Sequence, residues 1–413
     1  MPFSVSSWSV PMSLLDGFDF LDPKFKQHPY PYFAEMREKA PLFWNERFKS
    51  WVLSRHEDVA FALKNAALFS SADVRLGNRK RGFFQVESVA ELISSDPPVH
   101  TRMRGLVSRA FTPKQISAME PRVRELSRAL IAEMTASPEF DFMDGLASPL
   151  PVTIIAEMLG IDAVRRRDFK RWSDTILSGL TATMRTGQEP EEVGRCREEM
   201  LVYMTQVAEE RRRAPRGDLI SLLVQESDGV PALSSQEVNA FTVLLLIAGN
   251  ETTTNLLGNT LHTLIRHPEE YEWLRRDPSP AACAAVCEET LRFDSPVMAI
   301  SRRTTQEVEV SGGKIPAEST VTLLLGSANH DPRKFPDPER FDPRRDTAGL
   351  MSFGHGIHFC LGAPLTRVEA PVALQELMAR TPRLGFSPRQ PEHVDYGLSF
   401  ALRGPRSLWL QKN

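Results

Sequence analysis

Cysteine is scarce: four in 413 residues, at positions 196, 283, 287 and 360. Four thiols cannot staple a chain this long, which excludes a disulfide scaffold and leads us to expect a reducing compartment. An excess of one charge is also lacking. Lys and Arg number 50 against 53 Asp and Glu, a net charge of −3, so nothing global attracts nucleic acid or an anionic membrane. Long apolar runs are missing too. Stretches such as Phe241–Gly249 fall far below the ~20 residues a membrane-crossing helix needs. Residues 1–22 are mixed and acidic, so no secretory leader is expected. No G-x-G-x-x-G turn follows a strand pattern, which argues against a built-in flavin or nicotinamide domain. Together these absences predict a cytoplasmic protein with neither nucleic acid nor membrane as partner.

What is present is ordinary globular composition, 41% hydrophobic and 25% charged, ample for a large core. From Val99 to about Arg292 the texture is helical, with breaks at prolines such as Pro113, Pro149, Pro190 and Pro268. Leu42–Ser54 reads as two short strands around a turn, and Glu57–Asn65 as a helix. Ser70–Ser95 is irregular, with a basic knot (Arg79, Lys80, Arg81) ahead of Phe83 and Phe84. Short strands are expected at Val308–Val310 and Thr320–Leu325, and a last helix from Ala363 to about Ala379. Cys283 and Cys287 share a helical face without a further Cys/His cluster, which points to core filling. The expected fold class is mainly α with small β-sheets near both ends (α+β). We expect one domain over 1–413, with 1–28 as an extended N-terminal segment.

The chemistry concentrates in Phe353–Gly362, F-G-H-G-I-H-F-C-L-G. Glycines at 354, 356 and 362 permit backbone turns closed to other residues and close approach of a flat group. A helix starting beside Cys360 aims its free N–H groups and positive dipole end at the sulfur, which favours thiolate. Thiolates held this way ligate soft or redox metals, haem iron among them. The segment resembles the haem-binding loop of the cytochrome P450 family, in its soluble bacterial form F-G-x-G-x-H-x-C-L-G. The resemblance implies the cytochrome P450 fold, with haem b (iron protoporphyrin IX) on an axial Cys360 thiolate and His358 as a propionate contact. Phe353, Gly354 and Gly362 would complete the loop.

Other segments extend the likeness from about Pro29 to Leu410. Asp96–Arg104 (D-P-P-V-H-T-R-M-R) places His100 and Arg104 one helical turn apart, a natural carboxylate anchor; in the family such a pair holds haem propionates. Phe241–Thr254 (F-T-V-L-L-L-I-A-G-N-E-T-T-T) drops Glu251 and Thr252 into an otherwise apolar helix, where an unused carboxylate would be costly. It is similar to the family's A-G-x-[DE]-T. That likeness implies a helix opened over the iron, with Ala248 and Gly249 against the haem. Thr252 would then hold dioxygen while Glu251 passes protons inward. Glu289-x-x-Arg292 and Arg340 match the family's buried structural network. Arg302, rather than Arg303, is expected as a further propionate contact. Leu244, Ala248, Val297, Met298, Ile300, Leu398 and Phe400, with Phe83 and Phe84, are candidates for the substrate pocket.

The resemblance implies a monooxygenase. It would insert one atom of O2 into a small apolar substrate (terpenoid, steroid, fatty acid or polyketide) by hydroxylation or epoxidation. Electrons would come from a separate ferredoxin or flavodoxin with its reductase, docking near Arg102, Arg109, Lys114 and Arg367. A peroxygenase using hydrogen peroxide is the alternative within the fold, and a haem-based sensor the alternative outside enzymology. Glu251-Thr252 argues against both, since peroxygenases on this fold usually lack that acid–alcohol pair and a sensor needs no proton relay.

Overall fold

The computed structural model describes residues 14–15, 18–72, 75–76, 79–80, 92–186, 188–226, 229, 231–397 and 399–412. Its N-terminal third carries α1 (Pro23–Gln27), α2 (Tyr30–Lys39), α3 (His56–Lys64), α4 (Val99–Ser108), α5 (Pro113–Ser117) and α6 (Glu120–Met134). The helical middle holds α7 (Pro149–Met158), α8 (Arg166–Thr186), α9 (Glu191–Arg213), α10 (Leu219–Leu223), α11 (Ser235–Arg266), α12 (Pro268–Arg276) and α13 (Pro280–Phe293). Last come α14 (Leu325–Ala328) and α15 (Ala363–Arg380). The strands are β1 (Leu42–Asn45), β2 (Ser50–Leu53), β3 (Phe69–Ser70), β4 (Arg75–Leu76), β5 (Arg79–Lys80) and β6 (Glu139–Asp141). They continue with β7 (Ile300–Thr304), β8 (Val308–Val310), β9 (Gly313–Ile315), β10 (Thr320–Leu323), β11 (Leu384–Phe386) and β12 (Trp409–Lys412).

Proline marks helix starts more than it breaks helices. It stands in the first two positions of α5, α7, α12 and α15, where its missing N–H has no partner to lose. α11 opens on a reciprocal cap between Ser234 and Glu237. One expectation is corrected at the N-terminus. Residues 23–27, within the segment expected to be extended, form α1 because the Asp22 side chain accepts from the Lys24 N–H at 2.8 Å.

The expected strands β1, β2 and β10 join in one five-stranded sheet, ordered β1-β2-β10-β7-β3, while the expected β8 pairs with β9 in a separate two-stranded sheet. β2 pairs with β10 in parallel, and β7 pairs with β10 antiparallel. A three-stranded sheet, β11-β12-β6, ties the C-terminus to the middle of the chain. The largest apolar cluster runs from Leu92 to Leu410 around α11. α11 packs against α7, α9, α13 and α15. Cys283 and Cys287 are buried free thiols there. Burial pushes Cys283 up to about 12 and Cys287 well above the ordinary thiol range, so both act as small hydrophobes.

Candidate active site

The cysteine loop is a closed turn. The Cys360 N–H returns to the Phe353 carbonyl at 2.9 Å, and the Gly354 N–H donates to Met351 at 2.8 Å. Gly354 and Gly356 have φ of 66° and 70°, a region glycine enters without the penalty a side chain brings. A Cβ on Gly356 would also stand 2.4 Å from the Leu63 carbonyl, so α3 closes onto the loop there. Gly362 differs from expectation. Its φ is −82°, open to any residue, and a Cβ there would stand 4.0 Å from the Cys360 sulfur, an ordinary contact that does not require glycine. α15 begins one residue later, and the N–H groups of Gly362 and Ala363 bond the sulfur. Burial nevertheless pushes the Cys360 thiol up, with those N–H groups and the Arg104 and Arg367 cations opposing it. A metal would displace the proton. The Arg367 guanidinium also lies 4.7 Å over the Phe353 ring.

Beside the loop lies a cluster of two histidines and two arginines. His100 on α4 and His358 have ring centroids 4.3 Å apart, and Arg104 follows His100 by one turn. Neither imidazole Nε2, both buried, has a hydrogen-bond partner among the described residues. Burial, Arg302 and His100 push His358 down to about 3. Burial and Arg104 lower His100. Strand β7 alternates so that Arg302 is 8% exposed while Arg303 turns out to pair with Glu318 at 2.5 Å. Burial lowers Arg302 to about 10, with Asp96 opposing. Asp96 was not foreseen as a site residue. Its carboxylate accepts from the Ser71 N–H at 3.0 Å and from the Ser70 hydroxyl.

On α11, Ala248 is exposed although the helix around it is buried, so this face borders a cleft. The Thr252 hydroxyl donates to the Ala248 carbonyl at 2.6 Å. The helix stays unbroken from Ser235 to Arg266, contrary to the expected local opening. Thr242 and Thr260 make the same bond, which uses the carbonyl's second lone pair and leaves the ladder intact. Glu251 is half-buried. Burial pushes its carboxyl above the usual range, with Arg406 opposing. Gly249 also departs from expectation, because its Cβ direction meets Ile155 at 2.7 Å. It lets α7 approach.

Leu244 is 9% exposed, one turn before Ala248 on the same face. Other pocket candidates point elsewhere. Met298 presses on Gly326 and joins an aromatic cluster with Phe20, Phe25 and Phe33. Phe400 stacks on Phe48 at 4.7 Å in that same cluster. Both are corrections: the sheet edge turns these side chains toward the N-terminal segment. Val297 and Ile300 are half-buried against the five-stranded sheet's core. Phe83, Phe84 and Leu398 lie outside the described residues.

Glu289 and Arg292 are fully buried and bidentate, at 2.8 and 2.9 Å. Arg340 does not join them as expected. Its side chain is 67% exposed, and only its carbonyl turns inward to accept from Arg292 at 3.2 Å. The third arginine is Arg345, 3.4 Å from the Glu289 carboxylate and 12% exposed. Both follow prolines in P-E-R-F-D-P-R-R, and no local signal separates them.

The family profile of Cytochrome P450 matches residues 20–278 and 283–394. The chain belongs to the cytochrome P450 family. The structure of cytochrome P450 CYP109Q5 from Chondromyces apiculatus is similar, with a TM-score of 0.85 and 39% identity over 96% of this chain and 98% of that one. CYP109E1 from Bacillus megaterium, in complex with corticosterone, has a TM-score of 0.83 and 35% identity over 94% of this chain and 100% of that one. Erythromycin C-12 hydroxylase of Saccharopolyspora erythraea is 41% identical over 356 residues, 86% of this chain and 87% of its own length. This P450 is therefore a haem-thiolate monooxygenase. The residues present fit the group. Two orphaned imidazole nitrogens and two arginines match its propionates, and a sulfur backed by N–H groups matches its iron. Among the described residues, no helix is long and apolar enough to cross a membrane.

Proposed function

We propose that this P450 hydroxylates or epoxidises an apolar molecule of steroid or macrolide size, using electrons from a separate ferredoxin or flavodoxin and its reductase. The observation that carries an apolar substrate is Ala248, exposed with Leu244 one turn away, in the buried middle of α11. The corticosterone complex of CYP109E1 and the hydroxylase acting on erythromycin support the size range.

In this reading Cys360 would hold the haem iron, and His100, Arg104, Arg302 and His358 would hold the propionates. When bound, haem supplies the activation of O2 that puts one oxygen atom into substrate and the other into water. The chain's own residues do the rest. Phe353 and Gly354 fix the loop, and the N–H groups of Gly362 and Ala363 favour negative charge on sulfur. The Thr252 hydroxyl, now on the Ala248 carbonyl, can swing to the cleft and donate there. The raised Glu251 carboxyl keeps a proton nearer to neutral pH, as general acid catalysis asks.

Residues 1–413 read as one haem-enclosing unit, supported by the core cluster from Leu92 to Leu410. Four free cysteines support a reducing, cytoplasmic setting. Of the cations expected to meet the electron donor, Arg102 pairs with Glu237 and Arg367 with Glu288, while Lys114 is exposed. Spectral titration of the ferric holoprotein with steroids, macrolides, terpenoids and fatty acids tests the proposal. A low-to-high-spin shift with a steroid or macrolide, and an oxygenated product under reconstituted turnover, is the expected result. Selective response to fatty acids alone would overturn the substrate class.

A further inference from the structure

Asn250, between Gly249 and Glu251 in the A-G-N-E-T turn, is 2% exposed in an apolar stretch of α11. Its side chain points away from the cleft. Asn250 and Thr254 share one helix face, while Ala248 and Thr252 lie on the opposite one. The Asn250 Nδ2 donates to the Ser173 hydroxyl on α8 at 2.9 Å, and Ser173 is fully buried. The Thr254 hydroxyl lies 3.2 Å from the Asn250 Oδ1 and 3.1 Å from the Ala147 carbonyl. A chain of polar groups thus links α8, α11 and the turn before α7 directly behind Glu251 and Thr252. Apolar neighbours on α8 such as Phe169, Trp172 and Ile176 hold it by packing, which has no direction. The amide bond does have direction, and leaving a buried amide unpaired is costly.

We propose that Asn250 is a positioning residue that fixes the acid–alcohol turn of α11 to the seat of α8. With Ser173 in place, the back of the turn is pinned and Glu251 and Thr252 keep their approach to the cleft. This inference rests on the proposed roles of Glu251 and Thr252. Glu251 is faced by Arg406, and the Asn250–Ser173 bond involves no titratable group.

The test compares N250A, N250D, S173A and N250A/S173A as ferric holoproteins and in reconstituted turnover. Two quantities are read: product formed per reductant consumed, and amide hydrogen exchange over residues 248–254. N250A and S173A should each lower product per reductant about 5-fold or more and speed exchange in this turn. The double variant should be no worse than either single one, because both remove the same bond. S173A tests the idea even where N250A fails to fold, since it removes only a hydroxyl. S173T, which keeps the hydroxyl, should restore both readouts. Unchanged exchange and product yield in S173A, or additive losses in the double variant, would overturn the proposal. T252A separates the two levels. If T252A loses yield while S173A does not, only the positioning role fails; if T252A is also unaffected, the proton-delivery reading fails.

Discussion

The imidazoles of His100 and His358 stand 4.3 Å apart at a tilt of 55°, and neither Nε2 has a partner among the described residues. Two bases on separate elements, an N-terminal helix and the cysteine loop, converge with Arg104 and Arg302 on one space. Buried donors in such number are stable only with an acceptor between them. That acceptor sets the first prediction. R302L should loosen haem about tenfold, the worth of one charge-assisted hydrogen bond, read as faster haem transfer to a scavenger globin. R303L should leave transfer unchanged, because Arg303 already pairs with Glu318.

The network around Glu289 predicts an asymmetry between two arginines five residues apart. R345A removes an ion-pair partner from a fully buried carboxylate and should destabilise the fold by about 2 kcal/mol. R340A removes an exposed side chain whose useful atom is its carbonyl, and should stay within about 0.5 kcal/mol. Urea unfolding of both variants checks the order.

Glu369 on α15 is fully buried, and its Oε1 has no partner. Burial alone pushes its carboxyl from 4.5 to about 8. The folded chain therefore holds this proton where the unfolded chain releases it, so stability falls as pH rises from about 4.5 through about 8. The full loss is on the order of 5 kcal/mol. E369Q cannot ionise, so its advantage over the wild type should grow across that window and level off above it. Thermal unfolding across the same range checks this; a constant difference would contradict it.

The carboxyl of Glu251 is raised by burial and held back by Arg406. R406L should push it higher still. The infrared carbonyl band that vanishes in E251Q should then persist to higher pH in R406L than in the wild type. A band titrating at the same pH would show that Arg406 does not act on the Glu251 carboxyl.

Much of the site was legible because Phe353–Gly362 compresses its chemistry into ten residues. There, glycine positions, the sulfur and the start of α15 constrain one another locally. His100 and Arg104 were legible for the same reason, being one helical turn apart. Arg302 was expected over Arg303 only from the family likeness; β7 then buries Arg302 and leaves Arg303 partly exposed beside Glu318. The misses share a cause. Met298, Phe400 and Arg340 lie in irregular segments, and their directions are decided by distant partners: Gly326, Phe48 and the Arg292 guanidinium. Asn250 was equally hidden, since its partner Ser173 is 77 residues away.

The measurement that bears most directly on the identity of this enzyme is the carbon-monoxide difference spectrum of the reduced, haem-loaded protein. Cys360 sits at the start of α15 with the N–H groups of Gly362 and Ala363 on its sulfur, so a thiolate-type spectrum is expected, lost in C360S. A histidine-type spectrum from folded wild-type protein would mean that Cys360 does not hold the iron, and the monooxygenase chemistry assigned to this site would fall with it.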